Sequence, residues 1–243
     1  MLATANAVLA RYKLPIMDRL SELLDVEEDF LCTVSEFDHY PQRGGNTRYW
    51  GPRFTCGAGR EPLWPDGTGK KVYVYLDAQF RDLEKLLQMF KSMPARFLIY
   101  VSGISRLLVD KYQAANVTFS TEPINFEKMG EQCEAGICHA SHGTVSALML
   151  AGIPLLILPN HLEQYILALN IQNLGAGLLV NPEEKNSNYE LPMKRLLSEP
   201  EFARKARSFA DKYKGESQKE WVNKIVTRCE EIISQYKATN NKT

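Results

Sequence analysis

The chain has 243 residues, with 29 Lys plus Arg, 29 Asp plus Glu and a formal net charge of zero at pH 7. This length predicts one large domain, or one full domain with a piece of another, and either can bury a sizeable core. Because there is no excess of positive charge, the composition excludes a general attraction to nucleic acid or to anionic membrane surfaces. Any bound polyanion therefore has to be held by local geometry.

The cysteines and the apolar runs indicate the cellular compartment. The five cysteines contain no Cys-x-x-Cys pair and no disulfide or zinc spacing, which favours reduced thiols and no bound metal. They are Cys32, Cys56, Cys133, Cys138 and Cys229. No apolar run approaches the roughly 18 residues of a transmembrane helix, and the N-terminus lacks the pattern of a signal peptide. We therefore expect a soluble, cytoplasmic protein without a membrane span.

The first seventy residues contain few regular elements. Apolar spacing predicts a helix over residues 17–24 and a strand over residues 30–34. Residues 41–69 repeat Gly and Pro without a sustained helical or strand period, which indicates a linker with turns. We therefore expect a division between residues 1–40 and the rest of the chain.

From residue 70 onward, short apolar strands alternate with helices. The predicted strands span residues 71–76, 96–103, 117–119, 136–139, 155–158 and 177–180. The predicted helices span residues 81–93, 107–113, 126–132, 144–151, 163–174, 193–197, 201–214 and 218–236. Strands separated by helices of this length predict right-handed crossovers. The predicted fold class is therefore α/β, a Rossmann-like parallel sheet with helices on both faces.

One strand-to-helix turn has the composition of a phosphate site. In open parallel sheets, ligands bind beyond the carboxyl ends of the strands, and the turn "ASHG" follows such a strand. Ala140, Ser141 and Gly143 are small, and a helix beginning near Thr144 would direct free amide groups toward a phosphate or diphosphate. His139 and Thr144 could add further donors. The alternative is that Ser141 and Thr144 only cap the helix and that His139 is a hydrogen-bonded core residue.

The order of features from Cys138 to Gly177 resembles the donor-binding domain of GT-B glycosyltransferases, in the branch of the UDP-glycosyltransferases and the antibiotic and sterol glycosyltransferases. The shared features are a His, small residues, a Gly-Thr helix start, "AGIP", an apolar strand ending in Pro, "EQ" and "LGAG". The resemblance implies that one set of residues binds the diphosphate of a nucleotide sugar, namely His139, Ser141, Gly143 and Thr144. It further implies that Glu163 and Gln164 bind the sugar.

A weaker resemblance extends upstream. The stretch "FDHYPQRGGNTRYWGP" looks like the junction between the acceptor-binding and donor-binding domains of that family. The resemblance then implies a remnant of the acceptor-binding domain at residues 1–40, a linker at 41–69, a donor-binding domain at 70–216 and a C-terminal helix and tail at 217–243. Pro123 and Ile124 occupy the place where the family borders the nucleotide base, although an ordinary turn with proline fits them equally well.

Several residues depart from the family pattern. Ala140 and Ser141 replace a common Gly-Gly, which narrows the approach to a phosphate. Ala147 replaces an acidic residue that often contacts ribose, so that contact is missing or supplied elsewhere. Asp77 lies in the first loop, where it would repel a diphosphate unless paired. Leu167 replaces an asparagine that often follows the acidic-Gln pair.

The resemblance implies a hexosyltransferase that uses a nucleotide-diphosphate sugar, with UDP-sugar expected, and a small-molecule or lipid hydroxyl as acceptor. The nucleotide sugar is a substrate, and no cofactor or nucleic-acid partner is expected. The general base is unassigned, since His39 is expected in a turn and His142 beside a helix start. Three possibilities stay open: a fragment or shortened copy of a glycosyltransferase, a donor-binding subunit that needs a separate acceptor-domain chain or self-association, and a non-catalytic nucleotide-sugar module. Sugar-nucleotide epimerases fit the motif order less well.

Overall fold

A computed structural model describes residues 1–40, 42–43, 47–54, 57, 59–181, 183–184 and 187–240. The predicted linker at 41–69 and the predicted tail therefore lie partly outside the described residues, and Cys56 lies outside them altogether.

The centre of the molecule is a six-stranded parallel sheet. Its strands are β1 (Lys70–Asp77), β2 (Ala95–Ser102), β3 (Val117–Phe119), β4 (Ala135–Cys138), β5 (Leu155–Ile157) and β6 (Gly177–Leu179). They lie in the order β3-β2-β1-β4-β5-β6, so the order reverses between β1 and β4. A crevice for a ligand is expected at that reversal, because the loops after β1 and β4 diverge there. The Rossmann-like fold class is confirmed.

Helices precede the sheet in the chain, alternate with its strands and follow it. They are α1 (Leu2–Arg11), α2 (Leu83–Ser92), α3 (Arg106–Tyr112), α4 (Phe126–Gly130), α5 (His142–Leu150), α6 (Leu162–Asn173), α7 (Glu190–Ser198), α8 (Pro200–Lys212) and α9 (Gln218–Asn240). Two short 3-10 helices span Leu20–Leu24 and Ser35–Phe37. No helix in the described ranges is long and apolar enough to cross a membrane.

The two faces of the sheet belong to two hydrophobic cores. Successive side chains of a strand point to opposite faces, so Val72 and Val74 of β1 enter one core while Tyr73 enters the other. The first core is closed by residues of α2 and α7, such as Leu86 and Met193. Residues of α5, α6 and α8 close the second core. Because both faces are covered, the strands read as nearly continuous apolar runs.

The N-terminal predictions need correction. The helix expected over 17–24 is only the 3-10 turn Leu20–Leu24, and α1 was not predicted. The strand expected over 30–34 is wrong: Leu31 forms a single parallel bridge with Tyr49. The Leu31 and Thr33 carbonyls accept hydrogen bonds from the Trp50 and Gly51 amides, but within the described residues this pairing does not extend into a strand ladder. Instead, Val34 and Phe37 pack into the second core.

The C-terminal helix α9 contacts the segments that precede the sheet, at Glu28 and Phe54. Arg228 on α9 forms an ion pair with Glu28 at 2.8 Å, and both side chains are largely buried. Near the start of α9, the Gln218 side-chain amide donates to the Phe54 carbonyl at 2.7 Å. Phe54 lies against the start of α5, since a Cβ built at Gly143 would come within 3.5 Å of the Phe54 Cβ.

Candidate functional site

A cleft of about 590 Å³ opens at the carboxyl edge of the sheet. This volume lies within the range of small-molecule sites, which is roughly 300 to 1,000 Å³. The walls come from β1, β2, the loop after β3, the start of α5 and the segment before the sheet. The lining residues are Phe54, Gly59, Tyr73, Tyr75, Tyr100, Glu122, Pro123, Ile124, Phe126, Ser141, Gly143 and Thr144.

The start of α5 provides the polar wall of this cleft. Ser141 is the N-cap residue, yet its side chain accepts no hydrogen bond from the helix. Its hydroxyl donates instead to the Thr144 hydroxyl at 2.8 Å. The first amide bonded within the helix is that of Val145, which donates to the Ser141 carbonyl at 3.0 Å. The three preceding amides therefore have no intrahelical partner, and with the positive end of the helix dipole they can bind an anion.

The turn into α5 is strained at one residue. Ala140 has a φ of 68° and is buried. An L-residue with a side chain is disfavoured in this left-handed region, where glycine is the usual choice. Ala140 therefore holds a backbone conformation that glycine adopts more readily, while carrying a methyl group.

The loop after β3 forms the opposite wall. Its backbone pairs with Arg60: the Arg60 amide donates to the Pro123 carbonyl at 2.8 Å, and the Asn125 amide donates to the Arg60 carbonyl at 2.9 Å. The Ile124 side chain is buried. Pro123 and Ile124 thus line the same cleft as Ser141, Gly143 and Thr144.

His139 follows the last residue of β4 and is held by two backbone groups. The Asp77 amide can only donate, and it lies 3.0 Å from Nε2. The Leu158 carbonyl can only accept, and it lies 2.7 Å from Nδ1. The ring is therefore neutral with its proton on Nδ1, and burial lowers its pKa. His139 links the ends of β1, β4 and β5, as the core-histidine alternative requires, and in this arrangement it has no free N–H for a phosphate.

Glu163 and Gln164 lie in the first turn of α6 and are not among the residues that line the cleft. The Gln164 side-chain oxygen accepts a hydrogen bond from the Asn160 amide at 2.7 Å, while Glu163 is exposed. The structure therefore does not gather all predicted ligand residues into one cavity. The sugar-binding role of these two residues stays a prediction.

His142 faces the N-terminal segment. Its Nε2 lies 2.8 Å from the Thr33 hydroxyl, and its ring meets that of Phe37 edge-on. Burial is the main cause that lowers its pKa; the charge of His39 adds to this effect and that of Glu163 opposes it. His142 thus joins α5 to the segment before the sheet.

Asp77 is turned toward its own loop. Its carboxylate accepts a hydrogen bond from the Gln79 amide at 2.7 Å, and the residue does not line the cleft. Among the described residues, no group of three or more His, Cys, Asp or Glu side chains is arranged to hold a metal ion.

Sequence reasoning missed the aromatic wall of the cleft. Tyr73, Tyr75, Tyr100 and Phe54 line it, and none of them was a candidate. The signal was present in "KVYVYL" and "RFLIYVSG", where tyrosines point to one face near the carboxyl ends of two strands. It is visible only once β1 and β2 are known to be neighbours.

Known structures share this architecture. The spinosyn forosaminyltransferase SpnP superimposes with a TM-score of 0.71 over 96% of this chain and 60% of that protein, at 20% sequence identity. The glycosyltransferase VinC, solved in complex with dTDP, gives a TM-score of 0.58 over 68% of this chain and 42% of that protein, at 22% identity. The chain therefore has the Rossmann-like fold of the GT-B glycosyltransferases.

In sequence, the chain is similar to the PGL/p-HBAD biosynthesis glycosyltransferase of Mycobacterium tuberculosis, with 24% identity over 174 residues. The similar region is 69% of this chain and 40% of that protein, so the chain spans well under half the length of this relative. No family model matches the chain.

Proposed function

We propose that the chain binds a nucleotide-diphosphate sugar and forms the donor-binding part of a glycosyltransferase. The main support is that one cleft joins Ser141, Gly143 and Thr144 with Pro123 and Ile124, which the sequence marked separately as diphosphate and base contacts. The donor is a UDP-sugar in this proposal, and the acceptor is a hydroxyl of a small molecule or lipid. The dTDP complex of VinC supports the nucleoside-diphosphate class of ligand.

The roles follow from the polar groups of the cleft. The free amides of the first turn of α5 and the Thr144 hydroxyl bind the diphosphate, and Gly143 lines the same wall of the cleft. In the transfer reaction these donors stabilise the charge that develops on the departing nucleoside diphosphate. Glu163 and Gln164 contact the hexose from the next loop along the sheet edge. His139 donates to the diphosphate only if the ring first releases the Asp77 amide and Nε2 gains a proton.

The proton of the acceptor hydroxyl needs a general base, and no described residue is assigned to that role. An acceptor-binding part would supply it, either within a longer chain or on a separate chain. If the protein transfers no sugar, the alternative is a non-catalytic module that binds a nucleotide sugar.

Calorimetry with UDP, UDP-glucose and dTDP tests the proposal. We expect binding of a nucleoside diphosphate, and we expect Thr144→Val to weaken it by about 1 to 3 kcal/mol, because a hydroxyl that donates to a charged phosphate is lost. Thr118→Val in β3 is the matched control, since Thr118 is half-buried and does not line the cleft. No binding of any of these nucleotides would contradict the proposal.

Two further measurements divide the alternatives. Transfer of sugar by this chain alone would exclude the non-catalytic module, and transfer only after addition of an acceptor-binding chain would support the split enzyme.

His139→Ala separates the two possible roles of His139, the phosphate contact and the link between the strand ends. A loss of UDP affinity by a folded variant supports a phosphate contact, and an unchanged affinity would leave His139 with its structural role alone.

A further inference from the structure

Two tyrosines stand side by side on neighbouring strands. Tyr75 of β1 and Tyr100 of β2 are register partners, so their side chains emerge on the same face of the sheet. Their ring centroids are 5.4 Å apart with an angle of 33° between the planes. Both residues are half-buried and both line the cleft, so part of each ring faces the space where a ligand would lie.

The strand order places this tyrosine pair between the two predicted halves of the nucleotide site. On one side, β2 pairs with β3, and the loop after β3 carries Pro123 and Ile124. On the other side, β1 pairs with β4, which leads into the turn that carries Ser141. A molecule whose diphosphate lies at the start of α5 and which reaches toward Pro123 must therefore pass over the tyrosine pair.

The chemistry of this wall suits a flat aromatic ring. Nucleobases stack on aromatic side chains with little dependence on the identity of the base. Burial, with the neighbouring Tyr100 and Asp77, raises the pKa of the Tyr75 phenol. The tyrosine pair is aromatic and uncharged, and Glu122 is the charged residue of the cleft lining, so this wall favours an uncharged ring rather than a second phosphate.

We propose that Tyr75 and Tyr100 form the wall against which the nucleobase of the donor packs. The inference rests on the proposed function, since it requires the diphosphate to lie at the start of α5. It assigns base recognition to two strand residues in addition to the loop at Pro123 and Ile124. Because the contact is made by ring faces, it accepts uracil and thymine alike.

Calorimetry with UDP and with inorganic pyrophosphate tests this assignment on the full chain. We expect Tyr100→Leu to weaken UDP binding about 5- to 100-fold, because the stacking surface is lost. Tyr100→Phe keeps the ring and is expected to bind UDP like the wild type. Pyrophosphate binding is expected to be the same in all three proteins. Tyr165→Leu on α6 is the matched control, because Tyr165 is half-buried and lies outside the cleft lining.

The following outcomes would contradict the proposed base contact, provided that thermal unfolding shows the variants to be folded. UDP binding by Tyr100→Leu within twofold of the wild type overturns the inference. An equal loss of UDP and pyrophosphate binding also overturns it, since the substitution then acts on the whole cleft. If Tyr100→Phe loses as much affinity as Tyr100→Leu, the hydroxyl and not the ring makes the contact. If the wild type binds pyrophosphate, and no nucleotide binds more tightly than pyrophosphate does, the base contact does not exist. Failure of the wild type to bind either ligand instead contradicts the proposed function.

Discussion

In the candidate site, the backbone conformation of Ala140 is one that its side chain disfavours. Its φ of 68° is one that an alanine adopts at a cost of roughly 1 to 2 kcal/mol. Its methyl group is nonetheless packed in the second core, and 2% of the residue is exposed. The sequence identified Ala140 as a departure from a glycine-rich pattern, but only the backbone angles show that the departure carries strain.

We expect Ala140→Gly to change the free energy of unfolding by less than about 1 kcal/mol. Relief of the left-handed strain offsets the loss of a buried methyl and the greater freedom of glycine in the unfolded chain. Urea unfolding measures the difference. Ala168→Gly is the control, because Ala168 is also fully buried but lies inside α6. That variant is expected to lose about 2 kcal/mol. Equal losses in the two variants would show that Ala140 is not strained.

At the scale of elements, the contact between residues 47–54 and α9 decides how Phe54 reaches the cleft. Gly51 lies against the indole ring of Trp221, and a Cβ built at Gly51 would come within 2.1 Å of the ring. Trp221 is almost fully buried, and its ring nitrogen donates to Glu216. With the bond from Gln218 to the Phe54 carbonyl, this packing fixes the segment that borders the start of α5.

We expect Gly51→Ala to lower the free energy of unfolding by about 2 to 5 kcal/mol, because the methyl clashes with Trp221 and the φ of 80° disfavours alanine. Gly103→Ala separates these two causes, since Gly103 has a φ of 78° but its nearest contact, the Ala78 methyl, lies at 3.7 Å. That control is expected to cost about 1 kcal/mol. Chemical denaturation compares the two, and similar losses would argue against the clash.

The predicted strands and helices can be compared with the observed ones. The strands and helices from residue 70 onward are found close to their predicted positions, because each buries a continuous apolar run or stripe. The strand expected over 30–34 fails because a strand depends on its partner, and the pairing of Leu31 with Tyr49 is an isolated bridge. Local pattern cannot reveal whether a neighbouring strand exists.

For the whole molecule, two histidines, the buried His139 and the half-buried His142, link regions that are distant in sequence. His139 joins three strands, and His142 joins α5 to Thr33. Burial is the largest cause that lowers both pKa values below the ordinary value of 6.5. A histidine with a lowered folded pKa binds protons more readily in the unfolded chain. Its contribution to stability is therefore complete above pH 6.5 and is lost as the pH falls through 6.5 toward the folded pKa.

We expect the free energy of unfolding to fall between pH 7 and pH 5, by at most about 1.4 kcal/mol per pH unit for each histidine. Glu36 and Asp38 have pKa values lowered from 4.5 and 3.8, so their own losses occur at still lower pH. Urea unfolding across this range should show a shallower slope for His142→Gln than for the wild type. Identical slopes, or a wild type that gains stability on acidification, would contradict this account.

The sequence by itself determined the class of fold and the turn that starts α5. Both are local properties: alternating apolar runs specify strands and helices, and small residues before Gly-Thr specify an accessible helix start. The tertiary structure alone decided that Tyr75 and Tyr100 form one wall of the cleft, that both His139 nitrogens are engaged, and that α9 packs against residues 51–54. These contacts depend on strand order and packing, which bring together groups far apart in the chain, and no local pattern encodes such proximity.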